Sequence, residues 1–197
     1  MLNNCAEWLT KKLYDHCSLE ETRRPVYIYG FELFLSTVSS MISILIISAI
    51  FFHTYSGCLF LAVFITLRLF SGGYHAETYG RCFILTNCVF LLSVVFSQLL
   101  LLFVPDGVSR IICAAMTITA GIAIFFLSPI RNQNHPLSEA RYKKNRWIAC
   151  ILACVLSCAS IVSLIFGAGS YYPILFSVSL AAVAVMMIIP KLNERRT

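Results

Sequence analysis

Charged side chains are scarce in this sequence. Asp, Glu, Lys and Arg together make up 12% of the 197 residues, whereas hydrophobic residues make up 59%. A soluble globular domain carries roughly 25% charged residues, so this chain has too little polar surface to cover a soluble core. The shortage excludes an ordinary soluble domain and predicts that the chain uses the lipid bilayer as its solvent.

Two further features are missing, a cleavable signal peptide and a disulfide framework. The first long apolar run begins near Phe31, which is too late for a secretory signal, so we expect none. Cysteine is abundant, but the nine residues are an odd number and most lie within apolar runs, where Cys behaves as a small hydrophobe. Cys150, Cys154 and Cys158 share one helix face, which favours close helix packing over a metal site.

Six long apolar runs dominate the sequence. They cover residues 31–52, 55–71, 83–104, 108–128, 147–166 and 171–189. About 20 residues of helix cross the ~30 Å of hydrocarbon in a bilayer, and the runs lack the alternation of membrane strands. We therefore predict an all-α, polytopic membrane protein with about six transmembrane helices, which form one domain over residues 31–190.

The segment 1–30 is more polar and precedes the first of these runs. Its apolar positions follow a helical spacing, and they are Leu2, Ala6, Leu9, Leu13 and Cys17. Such an amphipathic helix can lie in the membrane interface or pack on the cytoplasmic face of the protein itself. The sequence leaves both alternatives open.

The basic residues predict the orientation in the membrane. They concentrate in the segment 1–30, the connection 72–82, the loop 129–146 and the tail 191–197, and the alternate connections are nearly free of them. The positive-inside rule therefore places both termini and these segments in the cytoplasm. The cations of the 129–146 loop could also bind anionic lipid headgroups or an acidic peptide.

The most informative polar segment is 68–82, between the second and third runs. It contains Arg68, His75, Glu77 and Cys82, and polar groups at membrane depth are costly and tend to be functional. A thiol becomes a good nucleophile as a thiolate beside an imidazolium, so His75 and Cys82 are the candidate catalytic pair. Glu77 could orient His75, although it could equally be a solvated loop charge.

The spacing of this pair requires a bend in the chain. On one unbroken helix, His75 and Cys82 would lie ~10.5 Å apart along the axis, which is too far for the ~3 Å contact that catalysis needs. Gly72, Gly73 and Gly80 allow the chain to leave the helix between them. If Cys82 opens the third run, the helix dipole also favours a thiolate there.

The pattern Arg68-x3-Gly72-Gly73-x-His75-Ala76-x5-Cys82 resembles the signature of the accessory gene regulator B (AgrB) family. Chain length, the six runs and the Pro-x-x-Asn-x-Asn-x-Pro-Leu pattern over 129–137 extend the likeness. The resemblance implies a membrane cysteine endopeptidase that cuts a short precursor peptide and helps to close a thiolactone or lactone ring. It makes His75 and Cys82 the catalytic residues, with Arg68, Gly72 and Gly73 in supporting roles.

The resemblance also implies the partners. We expect an AgrD-like precursor of a quorum-sensing peptide as substrate and a bacterial cell membrane as the location, with neither metal nor cofactor and no nucleic acid. A homodimer is compatible with this reading. The alternative function is a small membrane transporter or exporter of peptides without proteolytic activity, in which the segment 68–82 lines the substrate path.

Overall fold

The protein is an assembly of helices. A computed structural model describes residues 2–17, 20–71, 79–130, 139–167 and 169–194, and these ranges contain no β-strand. The elements in chain order are α1 (Leu2–His16), a 3₁₀ turn (Glu21–Arg23), α2 (Arg24–Phe51), α3 (Thr54–Ser71), α4 (Tyr79–Phe103), α5 (Asp106–Leu127), α6 (Glu139–Phe166) and α7 (Tyr171–Glu194).

The helices confirm an all-α polytopic membrane protein. Among the described residues, the segments of α2, α4, α5, α6 and α7 are each long and apolar enough to cross a membrane, and α3 is a shorter apolar helix. With 18 residues, α3 extends ~27 Å at 1.5 Å per residue, just under the ~30 Å of the hydrocarbon. The six predicted runs are thus five long helices and one short one.

Two helices, α2 and α6, begin well before the apolar runs indicated. α2 starts at Arg24 with Pro25 in its first turn, whereas the run starts near residue 31. α6 starts at Glu139, so the basic segment before residue 147 is the first part of the spanning helix and not a separate short helix. Hydropathy detects only the part of a helix that suits hydrocarbon, and helical hydrogen bonding continues beyond it.

The last helix lies at the centre of the assembly. In its most apolar window α7 is 61% buried, against 22–39% for the other four long helices. α7 packs against α3, α4, α5 and α6, and its Leu175, Leu180 and Met187 join Phe60 and Phe90 in the main core cluster. The arrangement of α3 relative to α4 therefore depends on α7.

The outer faces of the helices are apolar and exposed. Large side chains such as Ile46 of α2 and Phe126 of α5 are more than half exposed, as expected of a surface that faces hydrocarbon. Cys154 and Cys158 are exposed on the same kind of surface, so the prediction that their row packs against a neighbouring helix is wrong for these two residues.

Other small residues of α6 make the close contacts instead. Ala149, Ala153 and Ser160 are buried on its inner face. Opposite them, a Cβ atom added to Gly121 of α5 would lie 2.6 Å from the hydroxyl of Ser157. Small residues thus allow the close approach of α5 and α6, and of the three cysteines Cys150 takes part, since its thiol donates to the carbonyl oxygen of Phe125 in α5 at 3.8 Å.

The amphipathic helix α1 packs against α2. Ala6 and Thr10 are fully buried on its packed face. On its outer face Trp8 is exposed, and the ammonium of Lys12 lies 4.4 Å from the centre of the Trp8 ring. Of the two alternatives for this segment, the structure therefore shows packing on the protein itself. The exposed face of α1 remains available for contact with the membrane interface.

The turn from α2 to α3 is held by one serine. The hydroxyl of Ser48 donates to the carbonyl oxygen of His53 at 2.7 Å and accepts the backbone N–H of Gly57 at 2.8 Å. The approach is so close that a Cβ atom on Gly57 would lie 2.8 Å from the Cβ of Ser48. Ser48 thereby satisfies a backbone N–H in the first turn of α3 and fixes where α3 begins.

Candidate active site

Arg68 lies in the last turn of α3 and is only partly exposed. Its guanidinium carbon is 5.3 Å from the centre of the Phe64 ring, one turn earlier on the same helix. A cation over an aromatic face is stabilised by the quadrupole of the ring, which compensates part of the cost of bringing a guanidinium into an apolar bundle. The sequence places this cation at the end of α3, and Phe64 helps to hold it there.

Cys82 lies in the first turn of α4, which begins at Tyr79. Its Sγ accepts a hydrogen bond from Nη2 of Arg68 at 3.8 Å. The thiol is half-buried, so it is neither sealed in the core nor freely solvated. Two residues that are 14 positions apart in the sequence thus meet where two separate helices approach each other.

This contact has a direct chemical consequence. A guanidinium is permanently charged, and at this distance in surroundings of low polarity it stabilises negative charge on sulfur more strongly than it would in water. The N-terminal end of α4 contributes a partial positive charge with the same effect. Both positive groups lie beside the sulfur that the sequence selects as the candidate nucleophile.

Cys82 lies in the first turn of a helix, as expected, and α4 also includes Gly80. Gly80 was predicted to help the chain leave the helix, but it lies within one. Gly72, Gly73, His75 and Glu77 lie outside the described residues, so the approach of His75 to Cys82 stays a prediction.

The second motif begins beside the first. The backbone N–H of Ile130 donates to the carbonyl oxygen of Ser71 at 3.0 Å, which links the connection after α5 to the last residue of α3. Ser71 and Ser128 are both buried at this junction. This bond therefore joins the two stretches of sequence that carry the family resemblance, because Ser71 lies within the first pattern and Ile130 within the second.

A polar link between α2 and α4 was not recognised as a pair from the sequence. The hydroxyl of Ser43 donates to Oδ1 of Asn87 at 2.9 Å, and Nδ2 of Asn87 donates to the carbonyl oxygen of Phe83 at 2.9 Å. Asn87 was noticeable as an amide inside an apolar run. Its partner was hidden because α2 contains several serines, and the sequence does not indicate which of them faces α4.

Metal ligation finds no support among the residues that the structure describes. They contain no group of three or more His, Cys, Asp or Glu side chains that could hold a metal ion.

A known protein family matches almost the whole chain. The family described as "Accessory gene regulator B" matches residues 2–189, which includes both sequence motifs and all seven α-helices except the end of α7. The match extends over α1 as well, so the packed amphipathic helix lies within the matched region.

Two curated proteins of Clostridium perfringens are similar to the chain. One, from strain 13 / Type A and named as AgrB-like protein 2, is 23% identical over 152 residues, which cover 73% of this chain and 68% of that protein. The other, from strain SM101 / Type A and named as AgrB-like, is 24% identical over 152 residues with the same coverage. No solved structure matches the chain.

Proposed function

The chain belongs to the accessory gene regulator B family, and from that premise we propose that it is a membrane cysteine endopeptidase. Membership supports a role in the maturation of the agr quorum-sensing peptide. The proposed reaction cuts the C-terminal part from an AgrD-like precursor and promotes closure of a thiolactone or lactone ring. The observation that carries the proposal is the 3.8 Å contact between the guanidinium of Arg68 and the sulfur of Cys82.

Cleavage begins with the thiolate of Cys82. The sulfur attacks the carbonyl carbon of the scissile bond, and the protonated His75 gives its proton to the departing amine as the C–N bond breaks. The products are an acyl-enzyme thioester and a free C-terminal fragment. Arg68, beside the attacking sulfur, stabilises the negative charge that moves from sulfur to the carbonyl oxygen.

Ring closure consumes the thioester. A thiol or hydroxyl side chain of the precursor gives its proton to the neutral His75 and attacks the thioester carbonyl, and the bond to Cys82 then breaks. This exchange returns the thiolate of Cys82 and leaves the peptide as a ring. A site at the edge of an apolar bundle excludes much of the competing water, which favours the ring over hydrolysis.

The experiment that tests this function is co-expression with an AgrD-like precursor peptide, followed by mass spectrometry of membranes and medium. The expected products are a C-terminal fragment and a ring that is lighter than the linear N-terminal product by one water. The intact peptide in the medium without either product would contradict the proposal and favour the exporter.

The orientation that we propose has both termini and the α3–α4 connection in the cytoplasm. The exposed Cys17 after α1 and the exposed Ser170 before α7 lie on opposite sides under this arrangement. Two variants test this arrangement: the first keeps Cys17 as its single cysteine, and the second carries Ser170→Cys as its single cysteine. A membrane-impermeant maleimide should label the second variant in intact cells. The first should react only after permeabilisation, and the reverse pattern would refute the orientation.

A further inference from the structure

We propose that Ser43 and Asn87 are positioning residues for the nucleophile, because their hydrogen bond sets the rotation of α4 that directs Cys82 toward Arg68. This inference rests on the proposed function, since it concerns the same thiol. Asn87 is 8% exposed, and both ends of its amide are engaged, with Ser43 on one side and the Phe83 carbonyl on the other.

The link matters because α3 and α4 have few contacts with each other. Two helices, α2 and α7, pack against both of them, so these shared neighbours determine the distance between Arg68 and Cys82. The contact of α4 with α7 belongs to an apolar cluster that includes Phe90, Val94 and Leu175. Apolar packing is not directional, whereas a hydrogen bond weakens steeply when its angle changes.

Cys82 and Asn87 lie on different faces of α4. Asn87 lies five positions after Cys82, which corresponds to about 140° of rotation and ~7.5 Å along the helix axis. Cys82 can therefore face α3 while Asn87 faces α2. A rotation of α4 that broke the bond to Ser43 would also turn the Cys82 sulfur away from the guanidinium.

The region around Cys82 is further tied to its own helix. The hydroxyl of Thr86 donates to the carbonyl oxygen of Cys82 at 2.8 Å, and the amide of Asn87 donates to the next carbonyl, that of Phe83. Asn87 is thus attached to the turn that carries the nucleophile and to a neighbouring helix at the same time. It can transmit the position of α2 to the first turns of α4.

The test measures the reactivity of Cys82 directly. Full-length protein that retains Cys82 as its single cysteine is placed in lipid nanodiscs, and the rate of alkylation by iodoacetamide is measured at neutral pH. Ser43→Ala should slow the reaction about threefold to tenfold, in keeping with the strength of hydrogen bonds between membrane helices. Ser43→Thr keeps the hydroxyl and should restore most of the rate.

Ser40→Ala is the matched control. Ser40 is a buried serine of the same helix whose hydroxyl donates to the carbonyl oxygen of Ser36 in α2 itself, so its removal should leave the rate unchanged. If Ser43→Ala behaves like Ser40→Ala, the inference is wrong. Because Ser43→Ala deletes a single oxygen from a half-buried position, loss of fold is not expected to obscure the result.

A double substitution separates positioning from a general loosening of the bundle. If Ser43 acts through the contact between Arg68 and Cys82, Ser43→Ala should slow alkylation much less when Arg68→Met is already present. Equal slowing in both backgrounds would overturn the proposed route. Alkylation requires no precursor, so the effect of Ser43→Ala on the alkylation rate can be measured whether or not the protein is a peptidase. The proposed function fails separately, if Cys82→Ala still cleaves the peptide.

Discussion

Cys82→Ala is expected to lower precursor cleavage at least ~10³-fold, to the background of the assay, while the protein still inserts into the membrane. The thiol supplies the covalent bond of the acyl-enzyme, and its sulfur contacts the guanidinium of Arg68. Cys82 is half-buried in a first helical turn, so alanine removes little packing. Cleavage is measured by mass spectrometry after co-expression, with the amount of membrane protein determined for each variant.

Cys88→Ala provides the control on the same helix. Cys88 is exposed on the outer surface of α4, so its replacement tests the loss of a thiol from α4 away from the site. Cys82→Ser adds a finer test, because a hydroxyl is a far weaker nucleophile than a thiolate and should lose nearly all activity. Normal cleavage by Cys82→Ala, or a selective loss in Cys88→Ala, would remove Cys82 from the role of nucleophile.

Arg68→Met should lower the rate of the cleavage step about 10²-fold, which is the typical effect of removing one group that stabilises charge in a transition state. Methionine keeps much of the length of the side chain and can still pack on Phe64, so the loss would report on the charge. Arg68→Lys should retain part of the activity, since an ammonium keeps the charge but lacks the planar fork of the guanidinium. The measurement is the initial rate at saturating precursor for purified protein in nanodiscs.

Arg110→Met is the matched control for the loss of a cation. Arg110 pairs with Asp106 at 2.8 Å in the first turns of α5 and is predicted to lie near the outer boundary, away from the thiol. Its replacement should leave the cleavage rate within about twofold, as expected for an exposed ion pair of small net energy. An Arg68→Met variant as fast as Arg110→Met would show that the contact with Cys82 has no part in catalysis.

The sequence predicted where the helices lie along the chain better than it predicted which helices pack against each other. Apolar runs mark the part of a helix that suits hydrocarbon, so α2 to α7 were found although α2 and α6 continue beyond the runs. Which helix lies at the centre was not predictable, because all the runs are similarly apolar and burial depends on contacts between them. For the same reason the cysteine row of α6 was assigned to packing, whereas Cys154 and Cys158 face outward.

For the site, the polar segment and its family resemblance singled out Arg68 and Cys82 as candidates, and the structure brings these two together across two helices. The junction of Ser71 with Ile130 joins backbone atoms, and backbone bonds between distant segments leave no pattern in side chains. The pair of Ser43 and Asn87 required the register of α2 against α4, which composition does not contain. The proximity of His75 to Cys82 remains a prediction from the motif.

The central position of α7 has a consequence for biosynthesis. α3 and α4 leave the ribosome well before α7, which follows all the other described helices in the chain. During that interval a nascent chain carries the thiol and the guanidinium but lacks one of the two helices that pack against both α3 and α4. The packing that holds these two helices relative to each other is therefore complete only when α7 has joined the bundle.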